Sequence, residues 1–584
     1  MGEEETMPAK QTAGGRRKTA GQRKAATATQ SAAKTGRQAV IIVHGMGEQR
    51  PLETIRGFVE AVWGSNPTPG DEPSDDDVWL VPDNRAGLTE LARITTRRVN
   101  GVRTDFYELY WSDILVGNTL AQVRAWVGGL LWRWPHQVPR ESIYLWIGLW
   151  LVSALVIGLG SYVGLTVSWS RIWEVLVTGE PLRNLWTAGA SVALWAALTY
   201  LLYERLRGDL KHRDLGEKPL RGIWATISPV AASASMTHSA AVILFAPLAI
   251  AITVYLIFPW SLLASSKTYL FIAAAGVAAI LGSWVVPVFG DVARYVRTSP
   301  DAVAARARIR ERGVELLRAL HGPAPSDVSL YYDHGDLSSY DRIAVVGHSL
   351  GSIIAYDVLR LFWEERGPTR RNPTKSAALT ALRAVDDYCR EAADDPGSVD
   401  AAAYRDLQGA AAAALSGTEG NWRVTDFVTL GSPLTHAEFL ISRDRLAFDQ
   451  RKAERLFPTC PPMLEAGPKP SFLYDGRKYA HHAAMFATMQ WTNIHDPGRL
   501  VLSGDFISGP CAPNFGPGIV DVPVRISRGG LFGRLITHTD YWNMEAGGSA
   551  SDADGAKLGI DHLSAEPKAH IKLLRAALKL RPLS

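Results

Sequence analysis

Five residues near the middle of the chain, Gly347-His348-Ser349-Leu350-Gly351, carry its strongest chemical signal. A serine hydroxyl is a weak nucleophile and needs both an exposed position and a base. A Gly-x-Ser-x-Gly run supplies the position. Small residues two before and two after the serine permit a strained strand-to-helix turn that presents the hydroxyl. The flanking residues agree: 343–346 (Ile-Ala-Val-Val) reads as a buried strand and 352–359 as the start of a helix. Ser349 is therefore the candidate nucleophile, with Gly347 and Gly351 as the glycines of the turn.

A nucleophilic serine implies a histidine base, an acid to orient it and two backbone donors for the developing oxyanion. In the strand-turn-helix setting the chain order is serine, acid, histidine. Seven histidines follow Ser349: His436, His481, His482, His495, His538, His562 and His570. His436 comes too early, His481 and His482 sit in an apolar run, and His570 belongs to a terminal amphipathic helix. His538 follows a strand at 522–526 and a Gly-rich loop, where a loop-borne base belongs. Asp496, directly after a strand at 489–495 and before Pro497-Gly498, is the first choice of acid. Asp505, nine residues on, is the alternative. One oxyanion donor is the N–H of Leu350. The other is expected from the loop His44-Gly45-Met46-Gly47, where Gly45 and Gly47 let backbone approach a substrate, and Met46 N–H is the choice. His44 itself reads as a packed structural histidine.

Positioning these residues needs a sheet. Residues 38–45 form a buried strand, 54–63 a short helix, 64–77 a loop and 104–111 a second strand. A helix at about 300–320 precedes the strand of Ser349. Residues 367–421 are an Ala-rich helical insertion, and 423–430 another strand closed by Gly431-Ser432-Pro433. Strands alternating with helices argue a mostly parallel sheet covered by helices.

Taken together, 43–49 (Val-His-Gly-Met-Gly-Glu-Gln), 347–351, 491–497 (Trp-Thr-Asn-Ile-His-Asp-Pro) and 538–542 (His-Thr-Asp-Tyr-Trp) resemble the α/β-hydrolase superfamily, in particular lipase-like bacterial serine esterases. The resemblance covers roughly 38–113 and 338–545. It implies ester hydrolysis through an acyl-serine intermediate with no metal or organic cofactor. With a strand starting so early, it also implies that the usual first antiparallel strands are missing. The other class of function is a catalytically silent scaffold that keeps the fold to bind partners.

The rest of the chain departs from that family. Residues 143–170, 184–203, 222–266 and 268–290 contain no Asp, Glu, Lys or Arg. About 20 apolar residues suffice to cross a bilayer as a helix. Thirteen of the 19 tryptophans lie between Trp111 and Trp284, as interfacial belts would have them. A four-helix transmembrane insertion at 143–290 is therefore expected, preceded by an interfacial segment at 114–142. Arg205, Arg207, Lys211, Arg213, Lys218 and Arg221 place the loop between the second and third spans in the cytoplasm. The organisation expected is a disordered basic tail at 1–37, a first hydrolase segment with the oxyanion loop at 38–113, and the membrane block. A helical linker at 291–337, a second hydrolase segment with the serine, acid and histidine at 338–545, and a C-terminal tail and helix at 546–584 follow. The expected partners are a lipid bilayer and an ester or lipid substrate. A net charge of +4 does not argue for nucleic acid. Three widely spaced cysteines offer neither a disulfide framework nor a zinc site.

Overall fold

The computed structural model describes residues 36–46, 51–83, 92–115, 128–150, 291–322, 340–369, 376–394, 399–416, 421–442, 444–474, 479–497 and 504–580, apart from short gaps within some of these ranges. Eight strands form one sheet: β1 (Gly36–Val43), β2 (Val78–Pro82), β3 (Ala92–Thr96), β4 (Val102–Leu109), β5 (Arg342–His348), β6 (Val424–Leu430), β7 (Gln490–His495) and β8 (Val520–Pro523). Their spatial order is β8-β7-β6-β5-β1-β4-β3-β2. The pairs from β8 through β4 are parallel, and β3 is antiparallel to both of its neighbours. The helices that matter for the site are α1 (Glu53–Val62), α2 (Pro300–His321), α3 (Leu350–Arg366), α4 (Ser376–Asp394), α5 (Ala401–Ser416) and α6 (Ala569–Ala577).

The central strands are apolar on both faces because both are covered. In β1, Val40 and Ile42 share one core with Phe58 and Val59 of α1 and with Leu573 and Leu574 of α6. Ala39, Ile41 and Val43 face the opposite core, built with Ile309 of α2, Ile354 of α3, Leu382 of α4 and Leu415 of α5. β5 alternates in the same way, with Ala344 and Val346 to the first core and Ile343 and Val345 to the second. The molecule is thus a mixed α/β structure: a large, mostly parallel sheet flanked by helices. All ten residues from Leu350 to Leu359 of α3 are buried, which is why this helix shows no polar stripe.

Two expectations are corrected. The sheet carries an antiparallel edge all the same, because the segment after β1 folds back as β2 and β3; whether a strand precedes β1 falls on residues 3–35, outside the described residues. Neither strand stands out in the sequence. β2 ends in Pro82, a residue tolerated in a sheet only at an edge, a bulge or a strand end. β3 contains Arg93, whose Nη1 bonds Asp83 at 2.8 Å.

The second correction concerns the membrane. Among the described residues no helix is long and apolar enough to cross a bilayer. The two longest, α2 and α4, are interrupted by charges such as Arg306, Arg308, Arg310 and Arg312, and Arg383, Asp386 and Asp387, so neither offers the ~20 apolar residues a span requires. This overturns the expected multi-pass membrane localisation, with the hydrolase segments on the cytoplasmic side: the described helices offer no span. The segments behind that expectation lie, from residue 151 to 290, outside the described residues, as do 1–35 of the tail save Gly2, and 116–127 of the expected interfacial segment. The two stretches on either side of that block do share one sheet, with β5 beside β1 in parallel register from Gln38↔Arg342 to Val43↔Gly347.

Candidate active site

Ser349 stands between the end of β5 and the first residue of α3, with φ 52° and ψ −128°. A non-glycine residue at positive φ is costly and persists only where its surroundings over-determine it. The two glycines of the motif are among those surroundings. A Cβ on Gly347 would lie 2.5 Å from Ser352 Cα, and one on Gly351 2.1 Å from the Val43 carbonyl oxygen. The first lets the chain reverse onto α3. The second lets α3 start against the end of β1.

His538 Nε2 is 2.7 Å from Ser349 Oγ, and His538 Nδ1 is 2.8 Å from Asp505 Oδ2. All three side chains are buried. Asp505 Oδ2 also accepts from the Tyr541 hydroxyl at 2.8 Å, and Oδ1 from the Ile507 N–H at 3.0 Å. Burial alone would raise the carboxyl pKa of Asp505. The charge of His538 and the hydrogen bonds from His538, Tyr541 and Ser508 outweigh burial and hold it at about 2. The acid is therefore ionised throughout the neutral range.

The acid expected first, Asp496, does not reach His538. It follows β7 directly, and its carboxylate accepts from Arg534, Thr537 and the Ile526 N–H. Asp505 forms a parallel bridge with Pro497. That places Asp505 beside Gly431 at the end of β6. Gly431 has φ +56°, and a Cβ there would lie 3.0 Å from Asp505 Oδ2 and 2.7 Å from Tyr541 Cε2. The bare backbone at Gly431 is what leaves room for the acid. Two signals in the sequence bear on this: Gly431 closes its strand in a Gly-Ser-Pro stop, and Tyr541 lies three residues after His538.

His348, inside the elbow motif, has no role that the sequence alone assigns. Its Nε2 lies 2.8 Å from the His538 carbonyl oxygen. Burial, together with the nearby His538, lowers its pKa to about 3, so the ring is neutral and this nitrogen carries the donated hydrogen. Gly45 passes directly over the elbow: a Cβ on it would lie 2.9 Å from His348 Nδ1 and 3.0 Å from Ser349 Cβ. The backbone leading to Met46 therefore runs against the nucleophile, while Leu350 begins α3 with an N–H that has no partner within the helix. Gly47 lies outside the described residues.

His44 is structural in its contacts. Its ring stacks on Trp111 at 4.8 Å between centroids. Nδ1 donates to the Gly45 carbonyl at 2.9 Å and Nε2 accepts from the Trp111 N–H at 3.3 Å. Burial lowers its pKa to about 4, so it is neutral and braces the exit of β1. Four of the other six downstream histidines bond elsewhere: His436 to Ser142, His481 to the Met463 carbonyl, His482 to that of Arg455 and His570 to that of Asn543. Among the described residues no cluster of His, Cys, Asp or Glu could hold a metal ion. Comparison of the chain with protein-family models, curated proteins and solved structures finds no match.

Proposed function

We propose that the protein is a serine hydrolase of the α/β-hydrolase type that cleaves carboxylic esters, lipid or amphiphilic esters among them, through an acyl-serine intermediate. The observation that carries this reading is the unbroken chain Ser349 Oγ, His538, Asp505, at 2.7 and 2.8 Å, on a serine held at positive φ between a parallel strand and a helix. The sheet order supports it too, with β5 central and the antiparallel strand at one side. A silent scaffold gains nothing from a strained serine bonded to an oriented imidazole.

The scheme follows from the contacts. Asp505 fixes the hydrogen of His538 on Nδ1, which leaves Nε2 free to accept the proton of Ser349. Ser349 Oγ attacks the ester carbonyl, and the carbonyl oxygen becomes an oxyanion received by the N–H groups of Leu350 and Met46. His538 then passes the proton to the departing alcohol as the carbon–oxygen bond breaks, leaving the acyl group on Ser349. Water, deprotonated by the same imidazole, releases the acid and restores the serine.

The test is turnover of a short-chain nitrophenyl ester with an acid quench during reaction. The expected result is nitrophenol release above the buffer rate and an acyl group on the peptide containing Ser349. Release no faster than in buffer alone would remove the reading.

A further inference from the structure

The hydrolytic scheme uses Asp505 and gives no role to the second buried carboxylate of the site. Asp496 is 0% exposed. Burying a carboxylate is expensive, and a buried ion pair is poor evidence of net stability, so its retention asks for another account.

Three of its four hydrogen bonds, to Arg534, Thr537 and Tyr541, converge on the segment that carries His538, and the fourth is to the Ile526 N–H. Oδ1 accepts from Arg534 Nη2 at 2.9 Å, and Oδ2 from Thr537 Oγ1 at 2.6 Å and the Ile526 N–H at 3.3 Å. The Asp496 N–H donates to the Tyr541 hydroxyl oxygen at 3.0 Å. Thr537 immediately precedes the base, and Tyr541 lies three residues after it. The Tyr541 hydroxyl donates to Asp505 Oδ2, a carboxylate oxygen that can only accept, and lies 3.0 Å from Ser508 Oγ as well. The backbone of Gly504 holds the same segment from the acid's side: its N–H donates to the Arg534 carbonyl at 2.7 Å, and its carbonyl accepts from the Thr537 N–H at 3.4 Å.

We propose that Asp496 is a positioning residue for this site: by anchoring Thr537 and Arg534 and by orienting Tyr541, it sets the pose of His538 against Ser349 and Asp505. The proposal rests on the serine-hydrolase reading. Its physical basis is that proton transfer needs the base in hydrogen-bond reach of the hydroxyl, and a misplacement of about 1 Å from a change remote from the chemistry can cost on the order of 10²-fold.

Two variants separate positioning from plain stability. Asp496→Asn keeps the backbone bond to Tyr541 and an oxygen for Thr537, but loses the charge opposite Arg534. Thr537→Val removes only the hydroxyl tether. Kinetics on nitrophenyl esters, corrected to the folded fraction from circular dichroism, should show kcat lowered by about 10- to 100-fold. KM should stay within about twofold of wild type, because the tether acts on the reacting geometry and not on binding. The double variant should lose less than the product of the two single losses, since both changes act through one tether. A loss of kcat per folded molecule below about threefold in both single variants, or a loss carried by KM, overturns the proposal. If Asp496→Asn does not fold, Thr537→Val decides on the same criteria. Failure of the hydrolase reading shows itself separately, as a wild-type protein that turns over no ester, and it takes this inference with it.

Discussion

Ser349→Ala is expected to lower ester turnover by on the order of 10⁶, as loss of the serine does in a well-studied serine protease, with a residual rate from the oxyanion donors alone. The loss should not come from unfolding. Ser349 is buried, but its hydroxyl bonds only the His538 ring. Its backbone is held independently by the N–H of Ser349 on the Leu430 carbonyl at 3.0 Å. His538 keeps Asp505 on one side and His348 on its carbonyl. The thermal transition of the variant should therefore match that of the wild type. Retention of more than about a tenth of wild-type turnover, a far smaller loss than a missing nucleophile produces, would mean that Ser349 is not the nucleophile.

Asp505→Asn is expected to cost on the order of 10⁴ in turnover, the size of the effect when the acid of a serine protease becomes an amide. The reason is the tautomer. An ionised Asp505 accepts from His538 Nδ1 and leaves Nε2 without a hydrogen. A carboxamide in the same place offers its own N–H groups to Nδ1, which favours the hydrogen on Nε2, where the imidazole cannot take the proton of Ser349. The amide must also satisfy Tyr541 and the Ile507 N–H, both donors now served by the carboxylate. Asp496→Asn, which touches neither nitrogen of His538, should cost about 10- to 100-fold through the pose of the loop. Side-by-side turnover of the two variants checks the order. The reverse ranking would return the acid to the end of β7.

The two carboxylates show where the chain is readable and where it is not. The elbow is a local feature: strand, serine and helix are contiguous, and Gly347 and Gly351 are needed within two residues of Ser349. The order serine, acid, histidine narrows the candidate base to few positions, and the one chosen, His538, has its Nε2 2.7 Å from Ser349 Oγ. The acid is a non-local matter. Asp496 and Asp505 both follow β7, and the choice depends on the bridge between Asp505 and Pro497 and on the room that Gly431 leaves for the carboxylate, neither of which has a signature in composition or spacing. The edge strands are hidden for a similar reason. β2 and β3 are short, one closes on a proline and the other carries an arginine whose partner, Asp83, comes from another segment. The apolar stretches between 143 and 290 point toward spanning helices by hydropathy alone, and the described helices contain none. Where a pattern repeats along one element, as in the two-faced apolar runs of β1 and β5, sequence and structure agree closely.

The most direct measurement is covalent. A fluorophosphonate probe reacts with a serine whose hydroxyl is activated by a base, and the folded protein can be digested and mapped after labelling. The account predicts a single adduct on the peptide that contains Ser349, absent in Ser349→Ala and formed far more slowly in Asp505→Asn. An adduct on a different serine, or labelling of Ser349→Ala at the wild-type rate, would contradict it.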